Sequence, residues 1–207
     1  MGTPQWPNGD KMITSQQQTT VEKYKKETII GKCVDFAPVS ERYLPDVVRL
    51  RNQDRSKYFL NQPQSITLED QKAWFAGYRD RKDDIYWAVL DKEGTVVGTI
   101  RLYNIDEGEC EHGSCIVDEQ FAGMPYALEI MIFSIEFAFN QLGVRKINGN
   151  VRKDNDSMNS IIRRMGFKVI SPMDIRGVEY VHNELVPEDS KVDRYKQLLD
   201  KYVSKRS

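Results

Sequence analysis

The segment from Tyr126 to Leu142 constrains the fold of this chain more than any other part of the sequence. Its residues are apolar around almost the whole circumference of a helix, so it is predicted to be a buried helix. Its longest apolar run, Ile130 to Phe139, is interrupted by Ser134 and Glu136 and falls far short of the ~20 residues that cross a bilayer. We therefore expect a central helix inside a water-soluble domain.

Strand and helix patterns alternate around this central helix. Strands are predicted at residues 28–36, 85–90, 95–103, 109–117, 146–151, 168–170 and 178–185. Further helices are predicted to begin at Ser40, at the Thr67–Asp70 capping box, before the apolar face of Met158 to Met165, and at Pro187. The order predicts one mixed α/β (α+β) domain whose central, mostly antiparallel sheet of about seven strands is flanked by helices.

Charge and cysteine content exclude several classes of protein. The 207 residues carry 30 basic and 31 acidic side chains, for a net charge of −1. This balance argues against a nucleic-acid partner and against a polybasic membrane binder. Three cysteines are too few for a disulfide framework, so a cytoplasmic protein is expected. Residues 1–26 contain few apolar side chains and are predicted to form a flexible arm, with a short helix near residues 20–26 as the alternative.

The segment Ile116 to Ala127 has the pattern of a strand, a short loop with a glycine, and the start of the central helix. Such a loop points backbone N–H groups at one place, in front of the positive end of the helix dipole, where a diphosphate can bind. Gly123 would allow close approach of the backbone to the ligand. An ordinary tight turn is the alternative interpretation.

A second segment strengthens the phosphate-site interpretation. Asn155 ends a strand, a helix follows, and Gly166-Phe167 comes eleven residues after the asparagine. Together with Gln120-x-x-Gly123-x-Pro125, this pattern resembles the GNAT superfamily of acyl-CoA-dependent N-acyltransferases over about Thr28 to Leu185. Pro125 departs from the family pattern and removes one N–H, although proline suits the first turn of a helix. The resemblance implies a GNAT domain over residues 27–186, followed by a C-terminal helix in residues 187–207.

The resemblance also implies acetyl-CoA as cosubstrate, without a metal. The residues implied to bind it are Ile116, Val117, Gln120, Phe121, Ala122, Gly123, Met124, Tyr126, Ala127, Asn155 and Asn159. Glu111 matches the family's Glu-x-Gly strand and is the implied general base, the alternative being a surface carboxylate. Ile162 stands where many members have a tyrosine acid, so Tyr126 is the remaining hydroxyl candidate for protonating the thiolate. Backbone N–H groups of Glu109 to Val117 would stabilise the oxyanion.

The same strand contains Cys110-x-His112-x-x-Cys115, whose residue types could form half of a metal site. Strand alternation would place residues 110 and 112 on one face and residue 115 on the other. His182 and Cys33 are the remaining histidine and cysteine of the sequence. We therefore expect no metal site.

The N-terminal third resembles the amino-sugar N-acetyltransferases of the pseudaminic acid type, in Leu50-Arg51-Asn52 and in residues 57–60 and 66–75. The resemblance implies that Arg51, Asn52, Phe59 and Trp74 bind the substrate; core packing of the aromatic rings is the alternative. The predicted function is transfer of an acetyl group to a small-molecule primary amine, with a nucleotide-linked amino sugar as the favoured acceptor. The alternatives are a polyamine or protein N-terminal acetyltransferase, or a non-catalytic CoA-binding or protein-interaction module. A homodimer is compatible with the sequence. A dinucleotide oxidoreductase is disfavoured, because no Gly-x-Gly-x-x-Gly follows a strand.

Overall fold

Helices cover both faces of one twisted sheet in the computed structural model, which describes residues 12–205. The strands are β1 (Ile29–Ile30), β2 (Val34–Pro38), β3 (Asp84–Asp91), β4 (Val96–Tyr103), β5 (Glu109–Val117), β6 (Lys146–Arg152), β7 (Lys168–Ile175) and β8 (Val178–Leu185). The α-helices are α1 (Ser15–Tyr24), α2 (Leu44–Arg51), α3 (Asp54–Phe59), α4 (Leu68–Arg79), α5 (Tyr126–Glu136), α6 (Asp156–Met165) and α7 (Val192–Ser204).

The strand order in the sheet is β1-β2-β3-β4-β5-β6-β8-β7. Every neighbouring pair is antiparallel except β5 and β6, which run parallel. The predicted mixed, mostly antiparallel sheet is therefore confirmed. The described chain has eight strands rather than seven, because the predicted strand over residues 28–36 is split around Gly31 into β1 and β2.

Two apolar clusters pack on opposite faces of the sheet. The central helix α5 covers one face, with Ile130, Met131 and Ile135 at most 1% exposed. Helices α2 and α4 cover the other face through Leu44, Leu50 and other residues. The prediction of a buried central helix is confirmed. Its α-helical part ends at Glu136 and continues as a π-helical turn over Phe137–Gln141.

Local sequence signals explain where several helices begin and end. Thr67 and Asp70 form the predicted capping box of α4, with Thr67 N donating to Asp70 Oδ2 at 2.9 Å and Asp70 N donating to Thr67 Oγ1 at 3.1 Å. Gly166 ends α6 in the left-handed region at φ +107°, where a Cβ atom would lie 2.1 Å from the carbonyl oxygen of Asp189. The left-handed conformation and the close contact at Gly166 thus explain the Gly166-Phe167 pair by the requirements of folding alone.

The N-terminal segment differs from the expected arm wherever the structure describes it. Thr14 and Gln17 form a capping box, and α1 packs on the domain with Val21 fully buried. Gln17 Nε2 donates to the carbonyl oxygens of Asp106 at 2.6 Å and of Leu142 at 3.1 Å. A polar side chain therefore helps to hold this helix, which begins five residues before the short helix near residues 20–26 that was the alternative interpretation. The part of the predicted arm before residue 12 lies outside the described residues.

Smaller differences concern element ends. Ser40 makes no side-chain cap and precedes a 3-10 turn at Glu41–Tyr43. Strand β7 extends beyond the predicted residues 168–170, and Pro187 begins a 3-10 turn before α7. Helix α7 packs against α5, where Lys196 Nζ donates to Glu136 Oε1 at 2.5 Å. Among the described residues, no helix is long and apolar enough to cross a membrane.

Candidate active site

Strands β5 and β6 pair for only three residues and then separate. The recorded parallel register joins Glu109, Cys110 and Glu111 to Lys146, Ile147 and Asn148. After Glu111, the recorded pairing of β5 with β6 ends. The backbone groups of β5 that face β6 beyond this point therefore line an opening in the sheet. A substrate that enters this opening can bond to strand backbone without displacing a neighbouring strand.

A β-bulge in β5 lies beside this opening. Thr99 pairs with Ile116 and Arg101 with Gly113, so three steps along β5 match two steps along β4. Ser114 lies in the left-handed region at φ +49°, and its carbonyl oxygen accepts a hydrogen bond from Thr99 Oγ1 at 2.8 Å. The bulge bends β5 and re-aims its backbone groups.

The bulge also overturns the alternation argument made from the sequence. Because one extra residue is inserted, Cys115 packs against the same apolar cluster as Cys110, on the α5 face of the sheet. Burial raises the pKa of Cys115 to about 12 and that of Cys110 well above its usual value. Among the described residues, no group of three or more histidine, cysteine or acidic side chains is arranged to hold a metal.

Glu111 lies at the point where β5 leaves β6. Its side chain faces away from α5 and is 9% exposed. Asn104 Nδ2 donates to Glu111 Oε1 at 2.6 Å, and Tyr103 lies directly opposite Glu111 on β4. Burial, followed by the charge of Glu111, holds the pKa of Tyr103 well above its usual value. The alternative of a surface carboxylate is therefore inconsistent with the structure, which places Glu111 in a buried, hydrogen-bonded site.

Gly113 makes room for the partner of this carboxylate. A Cβ atom at position 113 would lie 2.9 Å from Tyr103 Cε1, so any larger residue would push the tyrosine ring away. The Glu-x-Gly pattern therefore has a local explanation. The glycine lets Tyr103 lie across β5 and reach Glu111.

A chain of contacts links Glu111 to α4. The Arg101 guanidinium lies 4.7 Å from the centre of the Tyr103 ring and 5.1 Å from that of Trp74. Arg101 is 6% exposed and is fixed by a two-point ion pair with the buried Asp84, one bond of which measures 2.8 Å. Of the four residues predicted to bind substrate, Trp74 is the one that these contacts join to Glu111.

The loop after β5 is ordered by its own hydrogen bonds. The buried Asp118 carboxylate accepts from Arg49, from Gln53 Nε2 at 2.9 Å, and from the Gln120 side chain at 3.0 Å. Backbone N–H groups of Phe121, Ala122 and Met124 donate to carbonyls within the loop. These three N–H groups and one N–H of the Gln120 side chain thus have partners within the chain, and contact of Gln120, Phe121, Ala122 and Met124 with acetyl-CoA stays a prediction.

The start of α5 remains suited to a diphosphate. Pro125 is the N-cap and supplies no side-chain cap, so the first-turn N–H groups, including those of Tyr126 and Ala127, lack intrahelical acceptors. Gly123 precedes them at φ +86°, and a Cβ atom added there would meet nothing within 4 Å. An open approach to uncapped N–H groups at the positive end of a helix fits a diphosphate.

The asparagines predicted to bind the cosubstrate hold the β6–α6 turn. Asn155 Oδ1 caps α6 by accepting from Met158 N at 3.2 Å. Asn159 Nδ2 donates to the carbonyl oxygen of Arg152 at 2.9 Å and to that of Lys153 at 3.3 Å. Contact of either residue with acetyl-CoA stays a prediction, as does contact with Ile116 and Val117.

Arg51 and Asn52 organise the connection between α2 and α4. Arg51 Nη2 donates to Gln62 Oε1 at 3.0 Å. Asn52 bonds both backbone groups of Ile66, at 2.8 and 2.9 Å. These contacts give both residues a folding role, and their binding of substrate stays a prediction.

Helix α3, which the sequence did not predict, spans the open end between β5 and β6. At the start of α3, Gln53 Nε2 donates a hydrogen bond to Asp118, which follows β5. Near its end, the Tyr58 hydroxyl donates to Asp154 Oδ2, after β6, at 2.6 Å. Arg152 lies over the Tyr58 ring at 3.9 Å, and a cavity of about 300 Å³ opens between α3, the loop after it and Arg152. Phe59 packs edge-on against Tyr58 at 5.2 Å.

Tyr126 lies away from Glu111. It packs near Phe121, and its pKa is raised by burial and then by the charges of Asp91 and Cys33, with Tyr202 and Glu93 after them. Glu111 lies six positions before the end of β5, or about 20 Å along the strand. The structure therefore does not bring the two predicted catalytic residues together.

Comparisons with known proteins agree with this geometry. The sequence profile described as "Acetyltransferase (GNAT) domain" matches residues 34–168, from β2 to the first residue of β7 and more than half of the chain. The chain belongs to the GNAT acetyltransferase family. No curated protein sequence matches this member significantly.

Solved GNAT structures share its fold at low sequence identity. FdhC, titled a nucleotide-linked sugar GNAT, is 22% identical with a TM-score of 0.69, over 85% of this chain and 96% of its own. Spermidine N-acetyltransferase from Vibrio cholerae, solved with CoA and spermine, is 12% identical with a TM-score of 0.70, over 77% and 98%. A GCN5-related N-acetyltransferase from Brucella melitensis is 19% identical with a TM-score of 0.69, over 86% of both chains.

Proposed function

We propose that this protein transfers an acetyl group from acetyl-CoA to a small-molecule primary amine by direct attack in a ternary complex. The observation that carries the proposal is the position of Glu111. Its buried carboxylate lies where β5 leaves β6, accepts a hydrogen bond from Asn104 and lies opposite Tyr103. An alkyl ammonium is not nucleophilic, so a base at this position would remove its proton before the amine attacks the thioester.

The chain's own residues perform three tasks. Glu111 accepts a proton from the substrate ammonium. The backbone N–H groups of β5 on the side facing the opening stabilise the oxyanion of the tetrahedral intermediate. Gly123 and the start of α5 bind the diphosphate. Acetyl-CoA, when bound, supplies the acyl thioester. Because Tyr126 lies far along the strand from Glu111, we assign protonation of the thiolate to water.

We further propose a nucleotide-linked amino sugar as the acceptor. Trp74 is half-buried; its ring stacks on Tyr78 at 5.1 Å and lies 5.1 Å from the Arg101 guanidinium, so the part of the ring left exposed beside Arg101 is what would contact a sugar. The likeness to FdhC agrees with this choice. The cytoplasmic location and the homodimer stay predictions from the sequence.

Release of free thiol from acetyl-CoA tests the proposal. The purified protein is incubated with a panel of nucleotide-linked amino sugars, spermidine and peptides with free N-termini. We expect turnover with at least one amino sugar, at a higher kcat/KM than with any other amine. Turnover of spermidine or a peptide with none of any sugar would overturn the acceptor, and no turnover with any amine despite acetyl-CoA binding would favour the non-catalytic alternative.

A further inference from the structure

Asn148 contains a buried acceptor atom that the fold leaves unused. It lies on β6 at the last position paired with β5, directly opposite Glu111. Its side chain is 8% exposed, and its Nδ2 donates to Glu109 Oε2 at 3.0 Å. Within the described residues its Oδ1 is buried without a hydrogen-bond partner. A buried acceptor without a hydrogen-bond partner destabilises the folded protein. Asn148 Oδ1 would have a function if a hydrogen-bond donor formed beside it during the reaction.

Glu111 is placed to become that donor. Paired residues of neighbouring strands lie about 4.8 Å apart and point to the same face of the sheet. An ionised carboxylate has no hydrogen to donate, whereas a protonated carboxyl group donates one. Because Asn148 Oδ1 is buried, a substrate cannot reach it without movement of the protein. A proton on the neighbouring carboxyl group requires no such movement.

We propose that Asn148 Oδ1 accepts the hydrogen bond of the proton that Glu111 carries after deprotonating the acceptor amine. This inference rests on the proposed function. The ammonium gives one proton to Glu111, the neutral amine forms the C–N bond of the tetrahedral intermediate, and the C–S bond breaks when that intermediate collapses. A second proton leaves the nitrogen for water, water protonates the thiolate to the free thiol, and Glu111 then returns its proton to water. Asn148 is therefore a positioning residue that acts through Glu111.

Charged groups around Glu111 are largely compensated by ion pairs. They are Glu109 on β5, Arg101 and Tyr103 on β4, Asp84 on β3, Asp106 before β5, Lys146 on β6, and Glu184 and His182 on β8. Arg101 pairs with Asp84, and Lys146 pairs with Glu109 and Glu184. Replacing Asn148 by an uncharged residue leaves these pairs intact, so its effect on proton binding can be separated from theirs.

The pH profile of kcat/KM for the amine, at saturating acetyl-CoA, tests the inference. Asn148→Leu removes the acceptor, so Glu111 should hold its proton less tightly, and the midpoint of the acid limb should fall by about 0.5–1 pH unit. Asn148→Asp keeps an acceptor and adds a negative charge, so the midpoint should rise. Asn150→Leu is the matched control. Asn150 lies two residues further along β6, its Oδ1 is bonded to His182 Nδ1 at 2.9 Å, and its replacement should leave the midpoint in place.

A titration without substrate gives a second measurement. The side-chain carboxyl carbons of glutamate are labelled with ¹³C, and Glu111→Gln identifies the signal of Glu111. Its midpoint should move in the same directions in the two Asn148 variants. Wild-type turnover combined with an unmoved midpoint in Asn148→Leu would overturn the role of Asn148 and leave the proposed function standing, because the shift in Asn148→Asp also follows from its added charge alone. Absence of amine turnover in the wild type would overturn both.

Discussion

Glu111 and His112 are adjacent in the sequence but lie on opposite faces of β5, where they have opposite surroundings. Glu111 is held by polar partners beside the opening in the sheet. His112 lies under α5, where its Nε2 is 3.0 Å from Ser134 Oγ, and burial lowers its pKa to about 4. His112 is therefore neutral at neutral pH and serves packing, not catalysis.

The depressed pKa of His112 predicts a specific pH dependence of stability. Unfolding releases the side chain to its ordinary pKa of about 6.5, so the unfolded state binds a proton that the folded state does not. The neutral His112 therefore contributes ~3 kcal/mol to the free energy of unfolding, and this contribution is present in full above pH 6.5. It is lost progressively as the pH falls from 6.5 towards 4. Urea unfolding of the wild type and His112→Gln at pH 7 and pH 5 measures it. The wild type should lose more stability than the variant over this interval, and equal losses would contradict the burial of a neutral imidazole.

At the scale of elements, signals that lie within one short segment predicted the fold correctly. The capping box of α4 and the apolar face of α6 each depend on neighbours a few residues apart. Helix α3 was missed because six residues contain no apolar period. The bulge in β5 was missed because it is defined by the register with β4.

The same distinction applies to the candidate site. Glu111 was found because its pattern lies within one strand. Tyr103 and Asn148 were not found, since only the pairing of β5 with β4 and β6 places them opposite Glu111. The signal that could have indicated Tyr103 is the glycine at position 113, which leaves space for a large ring from a neighbouring strand.

The start of α5 carries a prediction about the cosubstrate. Gly123→Val places a branched side chain in the open approach to the helix and should weaken acetyl-CoA binding by about tenfold or more, measured by calorimetry. Gly143→Val is the matched control. Gly143 also has a positive φ, at +66°, and open space around its Cβ position, but it lies after the other end of the central helix. Both variants should lose about 1–2 kcal/mol of stability from backbone strain. Equal acetyl-CoA affinity in the two variants would remove the loop from the site.

At the scale of the whole molecule, α1 belongs to the folded domain. Val21→Ala should cost about 1.5–3 kcal/mol, because the side chain is fully buried in the α5-side cluster. This corresponds to a fall in Tm of roughly 5–10 °C in a chain of this size, measured by calorimetry. Thr19→Ala, on the exposed side of the same helix, should change stability by less than about 0.5 kcal/mol. An equal, small effect of both substitutions would show that α1 does not stabilise the domain.

The most direct test of the account compares two carboxylates on one strand. Glu111→Gln should lower kcat/KM for the amine by roughly 10²–10⁴-fold while leaving acetyl-CoA affinity nearly unchanged. Glu109→Gln is the matched control, because Glu109 lies two residues earlier on the same face and is paired with Lys146 at 2.9 Å. Its replacement should cost less than about tenfold. If Glu111→Gln also loses less than about tenfold across the pH range, the base is water and the central claim is wrong.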